Sequence, residues 1–157
     1  MLEAWKKALD CKYNAGAVLT DLSKAFDCFN HDLLIAKLNA YGFGKAALNF
    51  IYNYLKERNH RTKINNTYSN WRSIKLGVPQ GSILGPLLFN IFINDIFFFL
   101  RKSKIANYAD DNTAYATAEN INGLLTILKE ETTEVLKWFQ INEMKPNEDK
   151  CNLIACK

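Results

Sequence analysis

Proline, glycine and histidine are sparse, at 3, 7 and 2 residues in a chain of 157. Linkers, internal repeats and low-complexity tracts are absent, so residues 1–157 are expected to fold as one domain. The four cysteines, Cys11, Cys28, Cys151 and Cys156, show no Cys-x-x-Cys spacing, which argues against a zinc site. No secretory leader is read at the start, so free thiols in a reducing, intracellular compartment are expected. A clean membrane-length apolar run is missing too. The most apolar stretch, residues 83–100, is interrupted by Pro86, Asn90, Asn94 and Asp95 and reads as a buried helix. Neither sign of charge dominates: the net charge is +4, which permits a nucleic-acid partner without requiring one. What is present is core material, 48% hydrophobic and 13% aromatic, which excludes disorder.

Periodicity places the elements. Leu2, Trp5 and Leu9 form a short helical stripe, and residues 12–16 read as a turn. Ala17-Val18-Leu19 then reads as a buried strand with Thr20-Asp21 at its polar end. A helix is expected over residues 31–41, capped by Asn30 and stopped at Gly42, and a second around Leu48, Ile51, Tyr52 and Leu55. Residues 60–64 and 67–76 alternate around Asn65-Asn66 as a hairpin. Ser82 caps a helix that begins at Ile83 and is apolar almost all round through Leu84, Leu88, Phe92, Ile96 and Phe99, which predicts a core position. The longest helix keeps one face from Ile121 through Leu124, Leu128 and Val135 to Phe139, and residues 151–155 read as a last strand. Helices mixed with hairpins predict an α+β fold, a mostly antiparallel sheet with helices on one face.

The chemistry concentrates at Asn107-Tyr108-Ala109-Asp110-Asp111-Asn112. Asn and Asp suit turn geometry, so a hairpin with Asp110 and Asp111 at or beside its tip is expected. Paired acids repel unless a cation is held there, and Mg²⁺ takes carboxylate and phosphate oxygens; a solvated acidic turn is the plainer alternative. Asp21, at a strand end, is either a second acidic site or a helix cap. Carboxylates at neighbouring strand ends, roughly 4.8 Å apart, can bridge two cations for phosphoryl transfer. Arg58, His60, Arg61, Lys63, Arg72 and Lys75, interleaved with Tyr68 and Trp71, fit either a nucleic-acid backbone or an ordinary solvated strand face. The glycines of residues 77–82 do not match a P-loop, since no Gly-Lys-Ser/Thr follows.

Four stretches in this order resemble the reverse transcriptase domain of non-LTR (LINE-type, jockey-like) retrotransposons. They are Leu19-Thr20-Asp21-Leu22-Ser23-Lys24-Ala25-Phe26-Asp27, Gly77-Val78-Pro79-Gln80-Gly81-Ser82-Ile83-Leu84-Gly85-Pro86, Tyr108-Ala109-Asp110-Asp111, and Trp138 through Lys150 with Asn142, Lys145 and Asn147. Phe-Ala-Asp-Asp is commoner than Tyr-Ala-Asp-Asp in the third. The resemblance covers nearly the whole chain. It implies a right-hand polymerase palm with partial fingers; thumb and upstream fingers are absent and would be supplied by a full polymerase.

The resemblance also implies roles. Asp21, Asp110 and Asp111, with the Leu22 backbone carbonyl, would hold two Mg²⁺ ions, with Mn²⁺ as a substitute. Phe26, Gln80, Gly81 and Tyr108 would surround the incoming deoxynucleoside triphosphate, Phe26 excluding a 2′-hydroxyl, although a core Phe reads the same way. Lys150 would be the general acid for pyrophosphate, with Lys145 second; either could be a solvated surface charge. Asp27 matches a family position without a catalytic role. Arg58, Arg61, Lys63 and Arg72 would face an RNA template and DNA primer. The implied activity is RNA-directed DNA synthesis, and the alternative is a truncated, inactive remnant that at most binds nucleic acid. A palm that copies RNA into RNA is disfavoured by the bulk of Phe26.

Overall fold

The computed structural model describes residues 1–56, 58–108 and 111–156. In chain order the elements are α1 (Leu2–Asp10), β1 (Asn14–Thr20), α2 (Ala25–Cys28), α3 (His31–Ala40), α4 (Lys45–Leu55), β2 (Asn59–His60), β3 (Lys63–Ile64), β4 (Thr67–Tyr68), β5 (Arg72–Ser73), α5 (Leu84–Ile93), β6 (Lys104–Tyr108), β7 (Asp111–Ala118), α6 (Ile121–Ile141) and β8 (Asn152–Cys156). They divide into two compact units, residues 1–25 with 93–157, and residues 26–92.

The first unit is a four-stranded antiparallel sheet in the order β6-β7-β1-β8. β1 is central, with Thr20 opposite Asn112 on one side and Leu19 opposite Asn152 on the other. A strand flanked on both sides and both faces should be apolar throughout, and all but one residue of β1 is buried. α6 lies on one face: Leu124 and Leu128 pack with Val18 and Ala116, each leucine contributing roughly 1.5–3 kcal/mol by leaving water. Asn120 caps α6 by accepting a hydrogen bond from the Gly123 N–H at 2.8 Å. The strand begins at Asn14, earlier than the expected Ala17. Gly16 explains the difference, because it is where helix and sheet come closest. A Cβ there would meet Leu128 Cδ1 at 3.0 Å and Leu124 Cδ2 at 3.1 Å. Glycine marks close backbone approach here rather than a turn.

The second unit is built on aromatics. Phe89 stacks with Phe26 at 4.5 Å and Phe29 with Phe92 at 5.1 Å between ring centroids. Leu34 and Leu38 of α3 and Leu55 of α4 are buried with them. Asn30 caps α3 as expected, accepting from the Asp32 N–H at 2.8 Å. Lys37 is buried and donates to the Phe92 carbonyl at 2.8 Å, a cation on the last turn of α5. The expected hairpin around Asn65-Asn66 forms as two short ladders, β3 with β4 and β2 with β5.

The apolar helix from Ile83 differs from expectation in two ways. It stops at Ile93, and residues Asn94–Phe98 tighten into a 3₁₀ turn. It is also not buried all round: Leu88, Phe89 and Phe92 are buried, while Ile83 is 94% and Leu87 54% exposed. Apolar character on every side gave no means of telling which side packs. Among the described residues no helix is long and apolar enough to cross a membrane, and all four cysteines are free thiols.

Candidate active site

Asp21 directly follows β1 and Asp111 opens β7. The last pair of the β1–β7 ladder is Thr20 with Asn112, so both acids stand at the same end of the sheet. The hairpin forms as expected, with Tyr108 opposite Asp111 as the last pair of β6 and β7. Asp110 lies outside the described residues. Among the described residues no group of three or more His, Cys, Asp or Glu side chains forms that could hold a metal ion.

Asp21 is 9% exposed, with Lys150 Nζ 3.1 Å from its Oδ2. The Asn147 side-chain amide donates to the same Oδ2 at 3.2 Å, and the Asn147 main-chain N–H donates to the Asp21 carbonyl at 2.8 Å. The Ser23 N–H donates to the Lys145 carbonyl at 2.9 Å, and Leu22 bridges Pro146 between these two bonds. Residues 145–147 therefore continue the sheet past the end of β1. In such a ladder alternate residues point their N–H and C=O to opposite edges. The Leu22 carbonyl therefore faces away from residues 145–147, and Asp21 Oδ1 is left clear of both donors on Oδ2. A carboxylate oxygen and a main-chain carbonyl are both hard oxygen donors of the kind Mg²⁺ prefers. Asp21 is thus held on two levels by a loop more than 120 positions away, a contact that sequence reasoning missed because only the fold creates it.

In the second unit, the loop before α5 is zipped onto α2. The Val78 N–H donates to the Phe26 carbonyl and the Gly77 N–H to the Phe29 carbonyl, both at 2.8 Å. Phe26, Val78, Pro79, Gln80, Gly81, Ser82, Gly85 and Pro86 line a cavity of about 360 Å³. Three residues expected around a nucleotide, Phe26, Gln80 and Gly81, are thereby brought together. The fourth, Tyr108, belongs to the sheet, is 84% exposed and is not among the lining residues. Asp27 holds Gln80, whose Nε2 donates to both carboxylate oxygens at 3.1 and 3.2 Å. Ser82 Oγ accepts from the Gly85 N–H at 3.1 Å, the expected cap of α5.

Three basic residues in and beside the two short ladders lie over aromatic rings. The Arg61 guanidinium lies 4.0 Å from the Tyr68 ring centroid and 4.6 Å from that of Trp71. Lys63 sits 5.3 Å over Tyr68, and Arg58 4.8 Å over Tyr54. Arg72 pairs with His60 across β2 and β5.

The family model described as reverse transcriptase (RNA-dependent DNA polymerase) matches residues 4–156. This chain belongs to the reverse transcriptase family. It is 33% identical over 151 residues to a probable RNA-directed DNA polymerase from transposon BS of Drosophila melanogaster, covering 92% of the chain and 17% of that protein. It is 29% identical over 147 residues to the RNA-directed DNA polymerase from mobile element jockey of the same species, covering 89% and 16%. The chain thus spans about a sixth of the length of these curated relatives. Among solved structures, an apo telomerase from Candida tropicalis superposes with a TM-score of 0.72 at 14% identity, over 99% of this chain and 34% of that one. That likeness establishes the polymerase-type α+β fold. Reverse transcriptase domains generally use divalent metal ions.

Proposed function

We propose that this reverse transcriptase chain is a palm with part of the fingers, and that it copies RNA into DNA by joining deoxynucleotides to a primer 3′-hydroxyl. The observation that carries this reading is Asp21, a nearly buried carboxylate at a strand end, beside the start of the strand that opens with Asp111. The family match over residues 4–156 supports it.

Asp21, the Leu22 carbonyl and Asp111, joined by Asp110, would hold two divalent ions, Mg²⁺ or Mn²⁺. Bound there, such ions sharpen an attacking hydroxyl and stabilise charge on the leaving phosphate. The chain's own residues do the rest. The primer 3′-hydroxyl releases its proton to solvent as its oxygen forms a bond to the α-phosphorus of a deoxynucleoside triphosphate, while the bond to pyrophosphate breaks. Lys150 donates a proton to that leaving group. Its ammonium group already stands 3.1 Å from Asp21, whereas the contact Lys145 makes to this strand is through its main-chain carbonyl, so Lys150 is the better candidate. Phe26 lines the cavity that Gln80 and Gly81 also line, and its ring would exclude a 2′-hydroxyl. Arg58, Arg61, Lys63 and Arg72 would neutralise phosphates of template and primer. Catalysis of this kind rests on positioning and electrostatics, and the thumb and remaining fingers of a full polymerase would hold the duplex for it.

The test is primer extension on an RNA template by a full-length polymerase carrying this chain, with Mg²⁺ or Mn²⁺, comparing deoxy- and ribonucleoside triphosphates. Extension with deoxynucleotides is expected. Preference for ribonucleotides would contradict the assignment, and no extension with either metal would favour an inactive remnant that at most binds nucleic acid.

A further inference from the structure

We infer that Asn147 is a positioning residue that sets the rotation of the Asp21 carboxylate and so keeps Oδ1 turned toward the metal; this rests on the assignment of Asp21 as a metal ligand. Two donors meet Asp21 Oδ2, the Asn147 amide at 3.2 Å and the Lys150 ammonium at 3.1 Å. A carboxylate oxygen only accepts, so the amide must present its nitrogen, and its orientation is fixed by chemistry.

The two donors are not equivalent. The Lys150 side chain is 66% exposed and hangs on a flexible stem, and exposed ion pairs of this kind hold geometry weakly. Asn147 is half-buried and short, and its own main-chain N–H is bonded to the Asp21 carbonyl at 2.8 Å. One residue therefore grips both the backbone and the side chain of Asp21, with few rotors left to relax. The Leu22–Pro146 bridge and the Ser23–Lys145 bond fix that grip on the far side. Partners one step removed from a metal orient its ligands, and losing one typically weakens metal binding by about 10–100-fold.

The experiment is Mn²⁺ binding to the purified 157-residue chain, read by the loss of the free-ion electron paramagnetic resonance signal. Wild type is compared with Asn147→Leu, Asn147→Ala, Asp21→Asn and the double variant Asp21→Asn/Asn147→Leu. Both Asn147 variants keep the main-chain bond. The expectation is weakening by roughly tenfold or more in each, and no further loss when Asn147→Leu is added to Asp21→Asn, because the two act through one carboxylate. On the wild-type chain itself, Mn²⁺ should broaden the Asn147 side-chain amide resonance, a readout that needs no variant. Asn147 variants that melt earlier yet bind Mn²⁺ with wild-type affinity would overturn the inference and leave Asn147 as a structural link, whereas an Asn147 amide signal left sharp would mean that no ion sits at Asp21. Wild-type affinity in Asp21→Asn would instead remove the metal assignment on which it rests.

Discussion

Gly77 and Asp27 are in such close contact that a Cβ on Gly77 would lie 2.5 Å from the Asp27 Cα, and it would also collide with the Phe26 carbonyl oxygen. Gly77 moreover has φ +71°, a region that costs other residues about 1–3 kcal/mol. Backbone cannot yield as a side-chain tip can. Gly77→Ala should therefore destabilise the chain by on the order of 3 kcal/mol or more, and should disturb the cavity that Phe26 shares with Gln80. Thermal unfolding checks this; an unchanged melting temperature would mean that the loop moves freely off α2.

Glu131 predicts a pH dependence. It is buried in the middle of α6, where it accepts the Ser103 hydroxyl at 2.8 Å and the N–H groups of Arg101, Lys102 and Ser103 at 3.1–3.2 Å. Burial pushes its carboxyl up, but these hydrogen bonds outweigh burial and hold it below the usual carboxylate range. A depressed folded-state pKa stabilises above the unfolded value and loses that contribution as pH falls through the folded one. Stability should thus drop on acidification below the ordinary glutamate range, and Glu131→Gln should flatten that limb while lowering stability at neutral pH by on the order of 2 kcal/mol. Denaturant titrations at neutral and acidic pH measure both. Equal acid sensitivity in the variant would assign the loss to other carboxylates.

Phe26 has two roles to separate, since the residue lines the cavity and its ring stacks on Phe89. Phe26→Ala should admit ribonucleotides, narrowing the deoxy-to-ribo incorporation ratio by about tenfold or more, alongside a loss of packing stability. Single-nucleotide incorporation with each triphosphate reads the ratio. A destabilised variant with unaltered sugar selectivity would leave Phe26 as core alone.

The two short ladders carry a prediction about binding. Trp71 is 62% exposed and lies against Arg61. If this face meets single-stranded RNA, Trp71→Ala should cost about 1–3 kcal/mol with an unchanged salt slope, because stacking is lost. Arg61→Ala should reduce the salt slope by about one, because a phosphate contact is lost. Fluorescence anisotropy over a salt series separates the two. No effect from either change would mark an ordinary solvated strand face.

Much of this was legible in the sequence because the signals were local. Asn30 as a cap, the single face of α6 and the hairpin ending beside Asp111 all follow from residues within a few positions of one another. The start of β1 was not, because Gly16 reads as a breaker until α6 is laid across it. Nor was the exposed side of α5, since a helix apolar all round carries no directional signal. The Asn147 clamp on Asp21 and the Asp27 hold on Gln80 join residues far apart in the chain. The residues themselves stand out in the motifs, but no local pattern pairs Asn147 with Asp21 or Asp27 with Gln80.

The most direct test of the central claim is single-nucleotide incorporation onto a primer annealed to RNA by a full-length polymerase carrying this chain, comparing wild type with Asp21→Asn and Asp111→Asn, each checked for a wild-type far-ultraviolet spectrum. If Asp21 and Asp111 hold the reacting centre, incorporation by wild type should fall by at least about a thousandfold in Asp21→Asn, roughly 4 kcal/mol of barrier, and markedly in Asp111→Asn. Incorporation by a folded Asp21→Asn variant at the wild-type rate would contradict the account.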